Sequence, residues 1–509
     1  MTPDERQRRA NGARRPRNGR VIEPIGELDE EEYVALSASG NHARPTAIGV
    51  AEAQRDARQE GPVDTDQETD PAPYYLIEGG IPLRGEVRLS GAKNAATKLM
   101  VAALLTEVPC EIRNAPQRLG DVTIIEDVIR ALGAKLTWRA EHTVIVEAAT
   151  LSNGDVPDNL GSKNRLAVLS VGPLLHRLGH ASIPAPGGDR IGPRPINFHL
   201  DGLRRMGALI EEREGHFHFS ANHGLRGATI ELPFPSVMAT ETLIIAATLA
   251  KGVTVIENAA IEPEIIDLIK FLQKMGAIIE QRVDRKIVIE GVQRLHGASH
   301  WVISDRNEAV SLAIAAYLTH GDVRLVGADQ GALLTFLNTL YRVGLDFAVE
   351  DDAIRFFGGD TPPRPIALET DVHPGFMTDW QQPFTVLLTQ ARGMSVIHET
   401  IYEDRFGYTA ELNRMGADTG LYPKCLGEAA CRFRERNFLH SCVVRGPTPL
   451  KATELTMPDI RAGASYILAA LCAEGTSVMR GIEHIERGYE HLDEKLRTLG
   501  AHITRVPTR

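Results

Sequence analysis

A glycine that follows an apolar residue returns six times along the chain, at Leu132-Gly133, Met206-Gly207, Met275-Gly276, Val343-Gly344, Met415-Gly416 and Leu499-Gly500. Successive glycines lie 74, 69, 68, 72 and 84 residues apart, and five of the six precede alanine. Each stands where a helical pattern, such as Ile265 to Lys274, gives way to a shorter strand-like run. Glycine ends a helix there because it adopts the left-handed conformation at little cost. A second set, Gly179, Gly252, Gly321, Gly393 and Gly475, follows an apolar helical stretch and precedes a β-rich run; the first unit uses Glu107-Val-Pro109 instead. Each unit therefore reads strand, helix, strand, helix, strand, strand. Units this long, with helices of mixed burial, argue against a solenoid. Three of them suit one core of about 200 residues, so the pattern predicts an α/β fold of two lobes.

Length agrees with that division. A chain of 509 residues with 43% apolar content exceeds a single ordinary core. Its net charge of -11 argues against nucleic acid or an anionic membrane as the main partner, which would need a broad basic field. An anionic substrate would instead require a local cluster of cations inside a cleft. The five cysteines, Cys110, Cys425, Cys431, Cys442 and Cys472, show none of the usual zinc spacings and read as reduced thiols. Cys425 and Cys431 read as part of a loop, and neither metal nor cofactor is expected. No run reaches the roughly 18 apolar residues of a membrane helix. Seven arginines crowd the first twenty residues without the apolar stretch of a signal peptide, so a cytoplasmic location is expected. Residues 1–73 are polar, mostly acidic after Val21 and without sustained periodicity, and read as a disordered tail.

Polar or charged residues precede the first apolar helix of every unit. They are Lys93-Asn94, Arg165, Ser236 before Val237, Asp305-Arg306, Asp379, and Asp459 with Arg461. A helix N-terminus exposes unpaired N–H groups and partial positive charge, which suits an anion. Facing lobes would bring six such ends to one cleft. Singly, each has an ordinary reading, since Asp and Ser cap helices and arginines are mostly solvated.

The run Leu89-Ser-Gly-Ala-Lys93-Asn94-Ala-Ala resembles the opening signature of the UDP-N-acetylglucosamine 1-carboxyvinyltransferases. So do Ile256-Glu-Asn-Ala-Ala-Ile-Glu-Pro-Glu-Ile, Asp379 within His373-Pro-Gly-Phe-Met-Thr-Asp-Trp-Gln, and Arg487-Gly-Tyr within His484-Ile-Glu-Arg-Gly-Tyr-Glu. The likeness runs from about Tyr75 to the C-terminus. That family is similar in fold to 5-enolpyruvylshikimate-3-phosphate synthase. The resemblance implies two inside-out α/β barrels, six βαβαββ units, three per domain, with 93–303 as one lobe and 74–92 plus 304–509 as the other. It also implies transfer of enolpyruvate from phosphoenolpyruvate to the 3-hydroxyl of UDP-N-acetylglucosamine or a related nucleotide. A monomer is expected, since the cleft would be complete within one chain.

Addition followed by elimination needs guanidinium groups for carboxylate and phosphate, and one general acid and one base. By resemblance, Lys93, Arg194 and Arg487 hold phosphoenolpyruvate, with Asn94, Arg405 and Arg461 completing its site and Arg165 the cationic wall. Asp379 is the implied base, with a helix cap as its ordinary alternative; Asp459 would align its neighbours. Asn94, Arg165, Arg194, Pro195, Asn197, Ser236, Val237, Asp305 and Asp379 would contact the UDP-sugar. His373 and His484 match family positions but read equally well as core histidines.

The stretch Ala185-Pro-Gly-Gly-Asp189-Arg190-Ile-Gly192-Pro-Arg194-Pro is a loop by composition. Its Asp189 stands where the family usually carries a cysteine acid. An aspartate serves only if its pKa rises from about 3.9. Met238, Phe234 and Asn197 depart from the family pattern on the nucleotide side, and Arg118 is expected to replace a missing basic residue. Two rival readings follow: a paralogue acting on another nucleotide, such as a nucleoside monophosphate, and a non-catalytic nucleotide sensor.

Overall fold

The computed structural model describes residues 72–163, 165–185, 196–359 and 361–507. The tail reading for 1–71 and the expectations for Asp189, Arg194 and Pro195 lie outside the described residues.

The glycines that punctuate the sequence do what their conformation dictates. Gly133, Gly207, Gly276, Gly344, Gly416 and Gly500 all have positive φ, between 79° and 107°, just beyond the ends of helices such as Gly120–Ala131 and Pro263–Lys274. Gly179, Gly252, Gly393 and Gly475 are also left-handed, whereas Gly321 is not. Gly321 is there for close approach: a Cβ on it would lie 2.1 Å from the Leu83 carbonyl oxygen.

The described strands form six sheets, five of four strands and one of three. Each contains antiparallel pairs, a sequential hairpin in five of them, and five add an outer parallel strand. Two of those outer strands come from far along the chain. Ser299–Trp301 pairs with Cys110–Arg113, and Arg84–Arg88 pairs with Asp322–Val326. Tyr74–Glu78 runs antiparallel between Thr476–Arg480 and His502–Val506, so the first described strand closes the last sheet.

Each sheet is accompanied by one helix buried on nearly every side. These are Lys93–Ala102, Val171–Leu178, Val237–Ala247, Arg306–Leu318, Thr378–Leu388 and Ile460–Cys472. All residues of Arg306–Leu318 are buried, which explains why it lacks an amphipathic stripe. Amphipathic helices such as Pro263–Lys274 carry the exposed faces. The buried apolar side chains fall into two clusters, one drawn from 92–302, the other from 75–89 and 309–503. No described helix is long and apolar enough to cross a membrane.

Candidate active site

Five of the six buried helices, together with the 3-10 turn Leu166–Ser170 that leads into Val171–Leu178, present their N-terminal ends to a single cavity of about 340 Å³. Lys93 and Asn94, Arg165, Ser236 and Val237, Arg306, Thr378 and Asp379, and Asp459 with Arg461 line it, one group from each helix start. Four of these starts have no side-chain cap. The other two are capped: Asp305 accepts from the Asn307 and Glu308 amides, and Asp459 from those of Arg461 and Ala462. Asp305 is thus a helix cap behind the cavity rather than part of its lining, and Asn197 opens its own helix without reaching the cavity. Asp379 is not a cap, because Met377 holds that position.

Six of the described lining cations, Lys93, Lys98, Arg306, Arg405, Arg461 and Arg487, pair with carboxylates rather than massing as a bare positive wall. Lys93 Nζ donates to Asp121 at 2.8 Å and Arg487 to its other oxygen at 3.1 Å. Burial raises the Asp121 pKa, but the two cations outweigh it and bring it down to about 2. Arg405 donates to Asp379 Oδ1 at 2.7 Å, and Arg461 lies 3.1 Å from Oδ2. Burial opposes ionisation of Asp379, yet both guanidiniums hold its pKa below the usual carboxylate range. Its side chain is a fifth exposed and so remains reachable from the cavity. Arg461 also donates to the Tyr489 hydroxyl at 3.0 Å.

Two of the lining groups, Asp121 and His199, lack the signal of a polar residue opening an apolar helix and escape sequence reasoning. Asp121 sits in the first turn of Gly120–Ala131, and only the fold sets it between Lys93 and Arg487. Arg306 binds Glu264 through two hydrogen bonds of 2.9 and 3.0 Å. His199 is pushed down to about 3 by burial and by Arg165, so its ring is neutral. His373 lines the cavity with its pKa lowered to about 4 by burial and Arg306, whereas His484 does not line it. Phe234 and Met238 both face the cavity. Arg118 lines a separate hollow with His142 and Glu490, so it does not replace a basic residue in this cavity.

Fold and cavity together define an α/β enzyme with paired cations and carboxylates gathered in one cleft. A family model described as EPSP synthase (3-phosphoshikimate 1-carboxyvinyltransferase) matches residues 77–496. A UDP-N-acetylglucosamine 1-carboxyvinyltransferase of Protochlamydia amoebophila is 48% identical over 84% of this chain and 94% of its own length. One from Magnetococcus marinus is 40% identical over 85% of this chain and 99% of its own. Among solved structures, the enolpyruvyl transferase NikO of Streptomyces tendae superposes with a TM-score of 0.76 at 26% identity, covering 86% of this chain and all of that one. The chain belongs to the EPSP synthase family of enolpyruvyl transferases.

Proposed function

We propose that this protein transfers the enolpyruvyl group of phosphoenolpyruvate to the 3-hydroxyl of UDP-N-acetylglucosamine by addition and elimination, releasing phosphate. That is the first committed step of peptidoglycan synthesis. One observation carries the chemistry: two cation pairs, Lys93 with Arg487 and Arg405 with Arg461, each bridged by a carboxylate in one cavity. The names of relatives matched over nearly their whole length support the acceptor.

In this reading the donor's phosphate engages Lys93 and Arg487 together with Arg194, while Arg405 and Arg461 turn toward its carboxylate. Guanidinium groups suit that task because they grip two oxygens at once. As Arg405 and Arg461 engage the donor, their hold on Asp379 weakens and its basicity rises toward what deprotonating a sugar hydroxyl demands. Asp189 serves as the acid that protonates carbon 3. The buried neutral ring of His199 and the uncapped helix starts at Arg165, Ser236 and Val237 face the nucleotide. The six sheets are read as six βαβαββ units, three per lobe in an inside-out barrel, with 93–303 and 74–92 plus 304–509 as the lobes. The positive-φ glycines and the two exchanged outer strands support this. One chain lines the whole cavity, which supports a monomer; five free thiols suit the reducing cytoplasm.

Phe234 and Met238, large side chains on the lining, favour a second acceptor as the rival. Phosphate release from phosphoenolpyruvate with UDP-N-acetylglucosamine, UMP or shikimate 3-phosphate separates the readings. Release with the UDP-sugar alone, lowered by about 100 to 10,000-fold in Asp379→Asn, is expected. Release only with UMP supports the paralogue, and no release with any acceptor supports a sensor.

A further inference from the structure

The hairpin Asp418–Tyr422 to Ser441–Gly446 departs from its counterparts. Hairpins such as Lys135–Ala140 to Thr143–Glu147 and Ile278–Arg282 to Lys286–Glu290 turn within two or three residues, whereas here 423–440 intervene without helix or strand. A loop this long without regular structure is uncommon in a compact domain, and a clip that closes it gains the most stabilisation. It carries Cys425, Cys431 and His440, and His398 ends the neighbouring strand Gly393–His398. One ligand atom from each of these four residues lies within 4.8 Å of every other.

We propose that His398, Cys425, Cys431 and His440 bind one zinc ion that fixes this loop to its sheet. Two thiolates and two imidazoles are a tetrahedral zinc set, with Zn–S near 2.3 Å and Zn–N about 2.0–2.1 Å. Ligand atoms around such an ion stand about 3.3–3.8 Å apart. Cys425 Sγ and His440 Nε2 are already at 3.3 Å, and the remaining atoms need contract by no more than about 1.5 Å.

The surroundings are built for ligation. Glu369 Oε2 accepts from His398 Nδ1 at 3.0 Å, which turns the other nitrogen of a fully buried ring toward a ligand. That Nε2 has no hydrogen-bond partner among the described residues. His440, also fully buried, donates from Nδ1 to the Phe438 carbonyl at 2.7 Å and leaves its Nε2 facing Cys425. The Phe433 amide donates to Cys431 Sγ at 3.4 Å, as a backbone N–H does to a metal-bound thiolate. Glu369 ties the loop as well, accepting from the Glu428 and Ala429 amides at 2.8 Å. The turn passes so close that a Cβ on Gly427 would lie 2.3 Å from Glu369 Oε2 and from His398 Nδ1.

Binding releases the two thiol protons to solvent, so two thiolates balance the dication and the enclosed site carries no net charge of its own. Four protein ligands leave no open position, which makes the ion structural rather than catalytic. The fixed loop extends to the cavity: the Arg432 guanidinium lies 5.1 Å from the centre of the Phe234 ring and donates to the Ile401 carbonyl.

The full untagged chain, purified without chelator, is expected to hold one zinc per molecule by elemental mass spectrometry. Cys425→Ser and Cys431→Ser are each expected to lower zinc occupancy about tenfold, while Cys472→Ser leaves it unchanged. Should the variants fold poorly, cobalt added to chelator-treated native chain is expected to give the intense tetrahedral thiolate–cobalt spectrum, abolished by one equivalent of zinc. Native chain without zinc and without that spectrum, zinc retained in both cysteine variants, or a Cys425–Cys431 disulfide in the purified protein would each overturn the site.

Discussion

Asp121 shows how a single carboxylate organises the cavity, since it holds Lys93 and Arg487 on its two oxygens. Its folded pKa, about 2, is depressed below the ordinary 3.8, so its contribution is complete above about pH 4 and is lost as pH falls through about 2. The stability gap between native chain and Asp121→Asn, followed by chemical denaturation, is expected to shrink by about 2 kcal/mol over that range. Residue identity matters differently at Asp189. A carboxylate is a far poorer nucleophile than a thiolate, so fosfomycin, an epoxide that alkylates the family's cysteine, is expected to leave activity intact. Time-dependent inactivation with a covalent adduct on Asp189, read by mass spectrometry, would refute that. Lys93, Arg165, Asp379 and Arg461 were legible as polar starts of apolar helices. Asp121 and His199 were not, because a carboxylate or an imidazole on an amphipathic helix looks like any other until the fold places cations beside it.

At the scale of elements, the helix Val237–Ala247 pays for its nearly complete burial at one position. Glu241 is wholly enclosed, neither of its oxygens has a hydrogen-bond partner among the described residues, and Lys98 approaches only to 3.9 Å. Burial raises its pKa, against the pull of Lys98, to about 8. A raised folded pKa contributes stability below the unfolded value of 4.5, and that contribution is lost as pH rises through about 8. Glu241→Gln is therefore expected to melt above the native chain at about pH 9, the difference closing near pH 5. An equal gap at both values, measured by calorimetry, would show that the carboxyl does not titrate there. The alternation of helices and strands was readable from periodicity and left-handed glycines. The role of Gly321 was not, since its need comes from the Leu83 carbonyl on a distant segment.

For the whole molecule, polar contacts join elements of the two apolar clusters around the cavity. Arg306, at the start of a helix in one cluster, forms its two hydrogen bonds to Glu264 at the start of a helix in the other. The burial of Glu264 disfavours its charge, yet Arg306 keeps its pKa low. Arg306→Met would leave that charge enclosed without its partner and is expected to cost about 3–5 kcal/mol in denaturant unfolding. Arg306→Met combined with Glu264→Leu is expected to recover most of the loss, because removing both members abolishes the stranded charge. A double variant no better than the single one would place the destabilisation elsewhere, for instance in the lost stacking of Arg306 over Trp380.

The sequence by itself determined the recurring units, the turns between them and the polar residues that open the apolar helices. Those properties depend on neighbours within a few residues, through backbone conformation, periodic burial and capping. Only the tertiary structure decided which strands changed sheets, which carboxylate met which cation, and that His398 stands beside two cysteines and a histidine from a later loop. Such partnerships join residues far apart along the chain, and their energies come from distance, burial and charge in three dimensions, which spacing in one dimension does not encode.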